Sequence, residues 1–277
     1  MRIICDAPGQ TCNRLWTYVT TVARCIALKK KMMILFFDWT IEDFPNLLHC
    51  KFIYFPLWHK WYLERGNGWN NYKGATWKIT HNKTWDKIFK FFGCKKGWAL
   101  REDDRFLAQT KPELKKIFRP KDEITHKAEN LIEPLKSSGR MVIGVHIRRG
   151  DYATHLGGRY FYSFEEYYDF ILQVKNIFKD KNPVFFISSN EDFDVSVFKD
   201  CECYRFKDEP SAAILDLYTL SICDAIIGPN STYSRWASFI GDVPICWLED
   251  RSMRLKAEYF SPMKNFYYQQ NGHKTDI

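Results

Sequence analysis

Long apolar runs are absent from this sequence. No stretch approaches the ~20 apolar residues that a membrane-spanning helix needs, and the opening residues, RIICDA, read as a strand rather than a secretory leader. Neither complete phosphate-loop fingerprint occurs, G-x-G-x-x-G or G-x-x-x-x-G-K-[ST], which disfavours a dehydrogenase or a nucleotide kinase. No internal repeat is evident. The nine cysteines are odd in number and scattered. Only Cys201 and Cys203 are close, and a single C-x-C makes no metal framework. They read as reduced thiols of a cytosolic protein, many simply buried. What is present is 277 residues, 27% of them charged, enough for a large core in one domain or two. The net charge of +8 favours an anionic partner: a nucleotide, a nucleic acid or an acidic membrane surface.

The stretch MVIGVHIRRGDY, residues 141–152, organises the chain. Met141, Val142, Ile143, Val145 and Ile147 describe a strand covered on both faces. Alternation places His146 and Arg148 on one face near its end. Gly150 then permits a turn. Ligands of open α/β sheets sit outside the carboxyl ends of strands, and the guanidiniums of Arg148 and Arg149 are suited to phosphate oxygens. The alternative is an Arg–Asp surface pair with Asp151.

Taken in order, the chain alternates strand and helix. Residues 2–7 and 32–37 read as strands, with a helix from Thr11 to Lys30 between them carrying Leu15, Val19, Val22 and Ile26 at helical spacing. The intervening loop, with Gly9, Asn13 and Arg14, lies at a helix start, a natural anion site. Residues 103–138 read as two helical pieces broken at Pro112, Pro120 and Pro134. Ser163 to Glu166 is a capping box for a helix to Phe178. Strands are expected at 184–188, 204–206, 225–228 and 244–247, and helices at 211–223 and 232–239. Strand–helix alternation of this kind predicts doubly wound α/β domains with parallel sheets.

Two further clusters carry chemistry. Asn230, Ser231, Thr232 and Ser234 sit at a helix start, where hydroxyls and free N–H groups bind phosphate, or serve only as N-caps. Asp192 and Asp194 form a D-x-D after a strand, either a divalent-metal site or a solvated turn. Residues 51–100 differ in composition. They hold Trp58, Trp61, Trp69, Trp77, Trp85 and Trp98, and ten Lys or Arg against only Glu64 and Asp86. Their glycines suggest loops between short elements. The segment is either an irregular aromatic subdomain or a surface for sugar rings or a membrane interface.

HIRRGDY at 146–152 resembles the H-x-R-R-G-D motif of α-1,2-fucosyltransferases. Residues 215–241, LDLYTLSICDAIIGPNSTYSRWASFIG, resemble that family's second signature, FFISSN at 185–190 its strand-plus-Ser loop, and GQTCNRLW at 9–16 its N-terminal loop. The match is specific in the second half and weak over 40–135. Thr11 and Cys12 replace a Leu-Gly pair, Arg14 replaces Gln, and Arg235 stands where the family usually has Trp.

The resemblance implies a GT-B fold: two facing Rossmann-like domains with parallel sheets, here 1–135 on the acceptor side, with the insert 51–100, and 136–277 binding the donor. The last residues are expected to pack back on the first domain. It implies inverting transfer of L-fucose from GDP-β-L-fucose to a glycan hydroxyl, O2 of galactose, without a metal or other cofactor. By position, Arg148 would stabilise the leaving β-phosphate, assisted by Arg149. His146 and Asp216 would contact guanine or ribose. Ser231 and Thr232 would hold the pyrophosphate at the helix start, with Asn230, Ser234, Ser189 and Asn190 also among the donor-binding residues. Asn13 would line the fucose side, with Gly9 and Arg14 of the same loop also among the donor-binding residues. Asp151 is the nearest carboxylate for the acceptor's proton, but an Asp paired with arginine is a poor base and would then brace the arginines. The acceptor glycan could be lipid-linked, with peripheral contact at the inner face of an anionic membrane. A non-catalytic GDP-sugar or glycan binder is the rival reading. Nucleic-acid binding is a weaker one, because the phosphate clusters lie at strand ends, away from the basic segment.

Overall fold

The computed structural model describes residues 1–6, 8–37, 39–101, 103–206 and 212–266. The expected packing of the last residues lies outside them. The chain divides into two units, Met1–Lys121 and Asp122–Ile277.

The first unit has a parallel sheet of β1 (Arg2–Ile4), β2 (Met32–Ile34) and β3 (Ile53–Tyr54), in that order. Helix α1 (Thr11–Ala27) crosses from β1 to β2. It is buried almost all round from Cys12 to Ala23, so its polar side chains need internal partners. Thr17 donates to the Asn13 carbonyl at 2.7 Å and Thr20 to that of Leu100 at 3.0 Å, while the Tyr18 hydroxyl reaches the Phe36 carbonyl at 2.7 Å. A short helix α2 (Pro45–Leu48) precedes β3.

The insert at 51–100 is helical rather than irregular. It holds α3 (Trp58–Glu64), α4 (Trp69–Thr80) and α5 (Lys83–Phe91). Its glycines fall between these helices or at their ends, apart from Gly74 inside α4. Helix α6 (Leu107–Ile117) closes the unit.

The second unit opens with α7 (Asp122–Ser137). This helix packs on α9 (Ala212–Ser221) and so belongs to the second unit. The chain breaks only at Pro120. Pro112 and Pro134 lie inside α6 and α7, where packing on α1 and α9 outweighs one lost helical bond.

The second sheet has the order β6-β5-β4-β7-β8-β9: β4 (Val142–Ile147), β5 (Val184–Ser189), β6 (Cys203–Tyr204), β7 (Ala225–Pro229), β8 (Pro244–Leu248) and an antiparallel edge, β9 (Ser261–Pro262). The first five are parallel. From β4 the chain steps outward through β5 and β6, then returns to the other side of β4 for β7. Helix α8 (Phe164–Ile177) begins with the expected capping box. Ser163 accepts from the Glu166 N–H at 3.2 Å, and Glu166 accepts from the Ser163 N–H at 2.6 Å. It buries Tyr167, Phe170, Ile171 and Val174 against one face of the sheet, each contributing about 1.5–3 kcal/mol.

Helix α9 covers the opposite face. A Cβ at Gly144 would stand 2.5 Å from Leu220 Cδ2 and 3.3 Å from Cys223 Sγ, so only glycine allows this approach. Helix α10 (Thr232–Gly241) follows β7. All nine cysteines are free. Among the described residues no helix is long and apolar enough to cross a membrane.

Candidate functional site

The strand order reverses between β4 and β7, and a crevice at the carboxyl ends of two such strands is where doubly wound sheets bind ligands. Both motif loops leave from there. After β4 come Arg148 to Tyr152; after β7 come Asn230 to Thr232. They are tied together, because the Tyr152 hydroxyl donates to the Asn230 carbonyl at 3.0 Å and also hydrogen-bonds Ser231. Ser231 caps α10, accepting from the Tyr233 N–H at 3.2 Å. No acidic residue occupies the first turn of α10, so its dipole and remaining N–H groups suit an anion.

Arg148 lies in the first of these loops, its guanidinium 5.7 Å from the Tyr152 ring. Its backbone N–H donates to the buried Tyr167 hydroxyl at 3.2 Å, which fixes the end of the strand. One arm of its guanidinium donates to Asp151 at 2.9 Å, and the side chain is about a quarter exposed, at 24%. Asp151 itself is open to solvent.

Arg149 is placed differently from the sequence expectation of a second phosphate donor. It donates to Glu191 at 2.8 Å and to the Tyr162 carbonyl at 2.7 Å, and it lies against the rings of Phe161 and Phe164, each at 4.6 Å. A guanidinium so engaged braces a loop. Asn190 works in the same brace, accepting from the Arg149 N–H at 2.8 Å and donating to its carbonyl at 3.2 Å. Ser189 accepts from the Glu191 N–H at 3.1 Å.

A second group lies on the α9 face of the sheet. His146 alternates with Gly144 and so points toward α9, beside its register partner Ser188. Asp216, one turn before Leu220 on α9, hydrogen-bonds Ser188. Burial pushes the Asp216 carboxyl up from 3.8 to about 7, opposed by Ser188 and Arg205. Burial, with Arg148 nearby, holds the His146 imidazole down at about 3. His146 Nδ1 and Asp216 Oδ1 are both buried without a protein hydrogen-bond partner. Each such atom costs about 1–3 kcal/mol, which makes the pair a natural recognition site for a polar ligand. The Tyr233 ring lies over His146 at 4.9 Å, and its hydroxyl donates to the Ala213 carbonyl at 2.6 Å.

Other expected residues are engaged within the protein. Ser234 is fully buried and donates to the Pro229 carbonyl at 3.5 Å. The Asn230 side chain accepts from Arg235 Nε and Nη2 at 3.0 and 2.7 Å. Arg235, 1% exposed, also donates to the Phe266 carbonyl at 2.6 Å and lies 5.0 Å over Trp247. Gly9, Asn13 and Arg14 belong to the first unit. Arg14 is buried there and donates to the carbonyls of Gly9 and Phe36.

The D-x-D residues serve local structure. Asp192 pairs with Arg205 at 3.0 Å, and Asp194 accepts from the Ser196 N–H at 3.0 Å. No cluster of three metal-ligating His, Cys, Asp or Glu occurs among the described residues.

Tyr152, Tyr167, Ser188 and Tyr233 were not singled out from the sequence. Ser188 carried a signal, as the polar interruption of the apolar run VFFIS in register with His146.

A parallel α/β unit with an arginine-bearing loop and a helix start at its reversal point, and two unpartnered polar atoms on the α9 face, has the arrangement at which such sheets receive ligands. The family model of glycosyl transferase family 11 matches residues 62–244, and the chain belongs to that family. No curated protein sequence matches the chain.

Among solved structures, it is similar to the fucosyltransferase NodZ from Bradyrhizobium, at 16% identity and TM-score 0.51, covering 89% of this chain and 94% of that one. NodZ is described as an alpha-1,6-fucosyltransferase co-crystallised with GDP. A mutant of Arabidopsis thaliana FUT1 in complex with GDP gives 12% identity and TM-score 0.51, covering 94% of this chain and 73% of that one. POFUT1 in complex with GDP-fucose gives 12% identity and TM-score 0.52, covering 92% and 96%. These likenesses establish the fold, which is of the GT-B type with parallel-dominated sheets.

Proposed function

We propose that this glycosyltransferase moves L-fucose from GDP-β-L-fucose to O2 of a galactose residue in a glycan, with inversion. The observation that carries the reading is Arg148. Its guanidinium stands, partly exposed, in the loop that leaves the carboxyl end of β4, 5.7 Å from the ring of Tyr152, whose hydroxyl holds the Asn230 carbonyl just ahead of α10. As the anomeric C–O bond of the donor breaks, charge builds on the β-phosphate. A fixed guanidinium and a helix start stabilise that charge without reorganising. Family membership and the GDP and GDP-fucose complexes of NodZ, FUT1 and POFUT1 support the donor class.

In this reading Ser231 and Thr232 hold the pyrophosphate at the start of α10, with Arg148 as its cation. Asp216 and His146 take the guanosine, since a carboxylate accepts well from the N1–H and N2 amino group of guanine. Arg149, Asn190, Ser234 and Arg235 brace the loops that carry these groups. Asp151 sets the angle of Arg148, and whether it also receives the acceptor's proton is separable by substitution. No metal is required, because arginine supplies the positive charge at the pyrophosphate.

The direct test is incubation with GDP-fucose and a terminal β-galactoside, following GDP release and the linkage formed. Fucosyl-α-1,2-galactose is the expected product. Tight GDP binding without turnover against a panel of acceptors would leave only a binding module. A different linkage would correct the acceptor.

A further inference from the structure

The last helix of the basic insert presents a surface that its own fold does not use. Helix α5 is fixed at both ends. Asn82 caps it, accepting from the N–H groups of Thr84 and Trp85 at 2.8 and 3.2 Å. It stops in a Schellman turn, with Gly93 at φ +69° donating to the Lys90 carbonyl and Cys94 to that of Phe89. The chain then pairs with the edge of β1 through Lys95. On its inner side Phe89 is buried with Cys5 and Phe36.

The outward face is apolar all the same. Trp85, Ile88 and Phe92, at helical spacing, are 42%, 37% and 67% exposed, and Phe91 beside them is 86% exposed. The Phe91 and Phe92 rings meet edge to face at 5.3 Å, forming one protruding tip. Between residues 83 and 96 stand five lysines against Asp86 alone. Asp86 is already paired with Lys90 at 2.9 Å and Lys96 at 3.7 Å. Lys83 and Lys87 are exposed on the polar side of the same helix.

We infer that α5 and its Phe91–Phe92 tip dock this protein on an anionic lipid surface. The helix lies in the interface with its aromatic tip among the acyl chains. Exposed phenylalanines, an indole and flanking lysines are the composition of interfacial helices, and lysines near an anionic leaflet add electrostatic attraction. The exposed phenylalanines flanked by lysines, with the helix's one acidic residue already paired, suit a surface that is both anionic and apolar. A nucleic acid would be met by lysines and stacking rings; Phe91 lies one turn after Lys87, but Trp85, Ile88 and Phe92 form an apolar face turned from Lys83 and Lys90, which answers an acyl phase rather than a phosphate backbone. The inference is independent of the donor chemistry.

The test is co-sedimentation of the full-length protein with phosphatidylglycerol-containing vesicles and with pure phosphatidylcholine vesicles, at low and high salt. Binding is expected on the anionic vesicles at low salt, falling as salt rises. The F91S/F92S double variant should bind by roughly tenfold less or worse while keeping its thermal unfolding midpoint. K83Q/K87Q should weaken binding on anionic vesicles only. The inference fails if the wild type does not sediment with anionic vesicles, or if F91S/F92S sediments like the wild type. It also fails if a single-stranded oligonucleotide displaces the vesicles while F91S/F92S binds that oligonucleotide unchanged.

Discussion

The Tyr152 hydroxyl donates to the carbonyl oxygen of Asn230 at 3.0 Å, locking the loop after β4 to the loop after β7. Arg148 and the α10 start are therefore parts of one frame, and a change in either loop is felt by the other.

Arg148 and Asp151 should fail in distinguishable ways. Arg148→Lys keeps the charge but loses the planar fork, so kcat should fall by about 10²–10³ while GDP affinity falls less. Asp151→Asn should lower GDP affinity and kcat together, because the 2.9 Å pair orients Arg148. A fall in kcat with GDP affinity unchanged would assign Asp151 the acceptor's proton. Wild-type turnover in Arg148→Ala would remove the mechanism.

Donor affinity should depend on pH through Asp216. Its carboxyl titrates at about 7, and a guanine donating to it binds the ionised form. Affinity for GDP-fucose, whose pyrophosphate does not titrate in this window, should therefore be about tenfold higher at pH 8 than at pH 6. Asp216→Asn should bind weakly at both. For stability the sign is opposite. The folded carboxyl lies above its ordinary 3.8, so its contribution is fully present below pH 3.8 and lost as pH rises through about 7. Asp216→Asn should accordingly raise the melting temperature at pH 8 more than at pH 5. Calorimetry at both pH values measures both effects.

Arg235→Leu should destabilise the fold by about 2–4 kcal/mol. It leaves the Asn230 side-chain oxygen and the Phe266 carbonyl without their charged donor. Donor KM should rise as the Asn230 loop loosens. An unchanged denaturation midpoint would show that the buried guanidinium is dispensable.

Turnover should survive EDTA if, as proposed, Arg148 supplies the positive charge at the pyrophosphate. Loss of activity in EDTA, restored by Mn²⁺ and abolished by Asp192→Asn, would move the chemistry to the D-x-D loop.

The buried strands, the capping box and the alternation of β and α were legible because each follows from local pattern: apolar runs, a Ser–Glu pair three apart, spacing near 3.6. The helices at 58–91 were not. Their tryptophans and lysines follow no single buried stripe, and their flanking glycines resemble loop punctuation. The difference between Arg148 and Arg149 was not legible either. Adjacent arginines look alike until Phe161, Phe164 and Glu191, distant in sequence, close around one of them. Arg235 looked like a departure from the family motif. Only the folded chain supplies the Asn230 and Phe266 oxygens that make a buried guanidinium tolerable.

Gly144 acts as a spacer gauge. The missing methyl sets the gap between β4, which leads into Arg148, and α9, which bears Asp216. A bulkier residue there would push α9 outward and take Asp216 with it. The Ala213 carbonyl that holds the Tyr233 hydroxyl, and so seats that ring on His146, would move as well. If Asp216 receives the guanine as proposed, Gly144→Ala would register as altered nucleotide selectivity. A screen for donor-specificity variants would find that position without any contact map pointing to it.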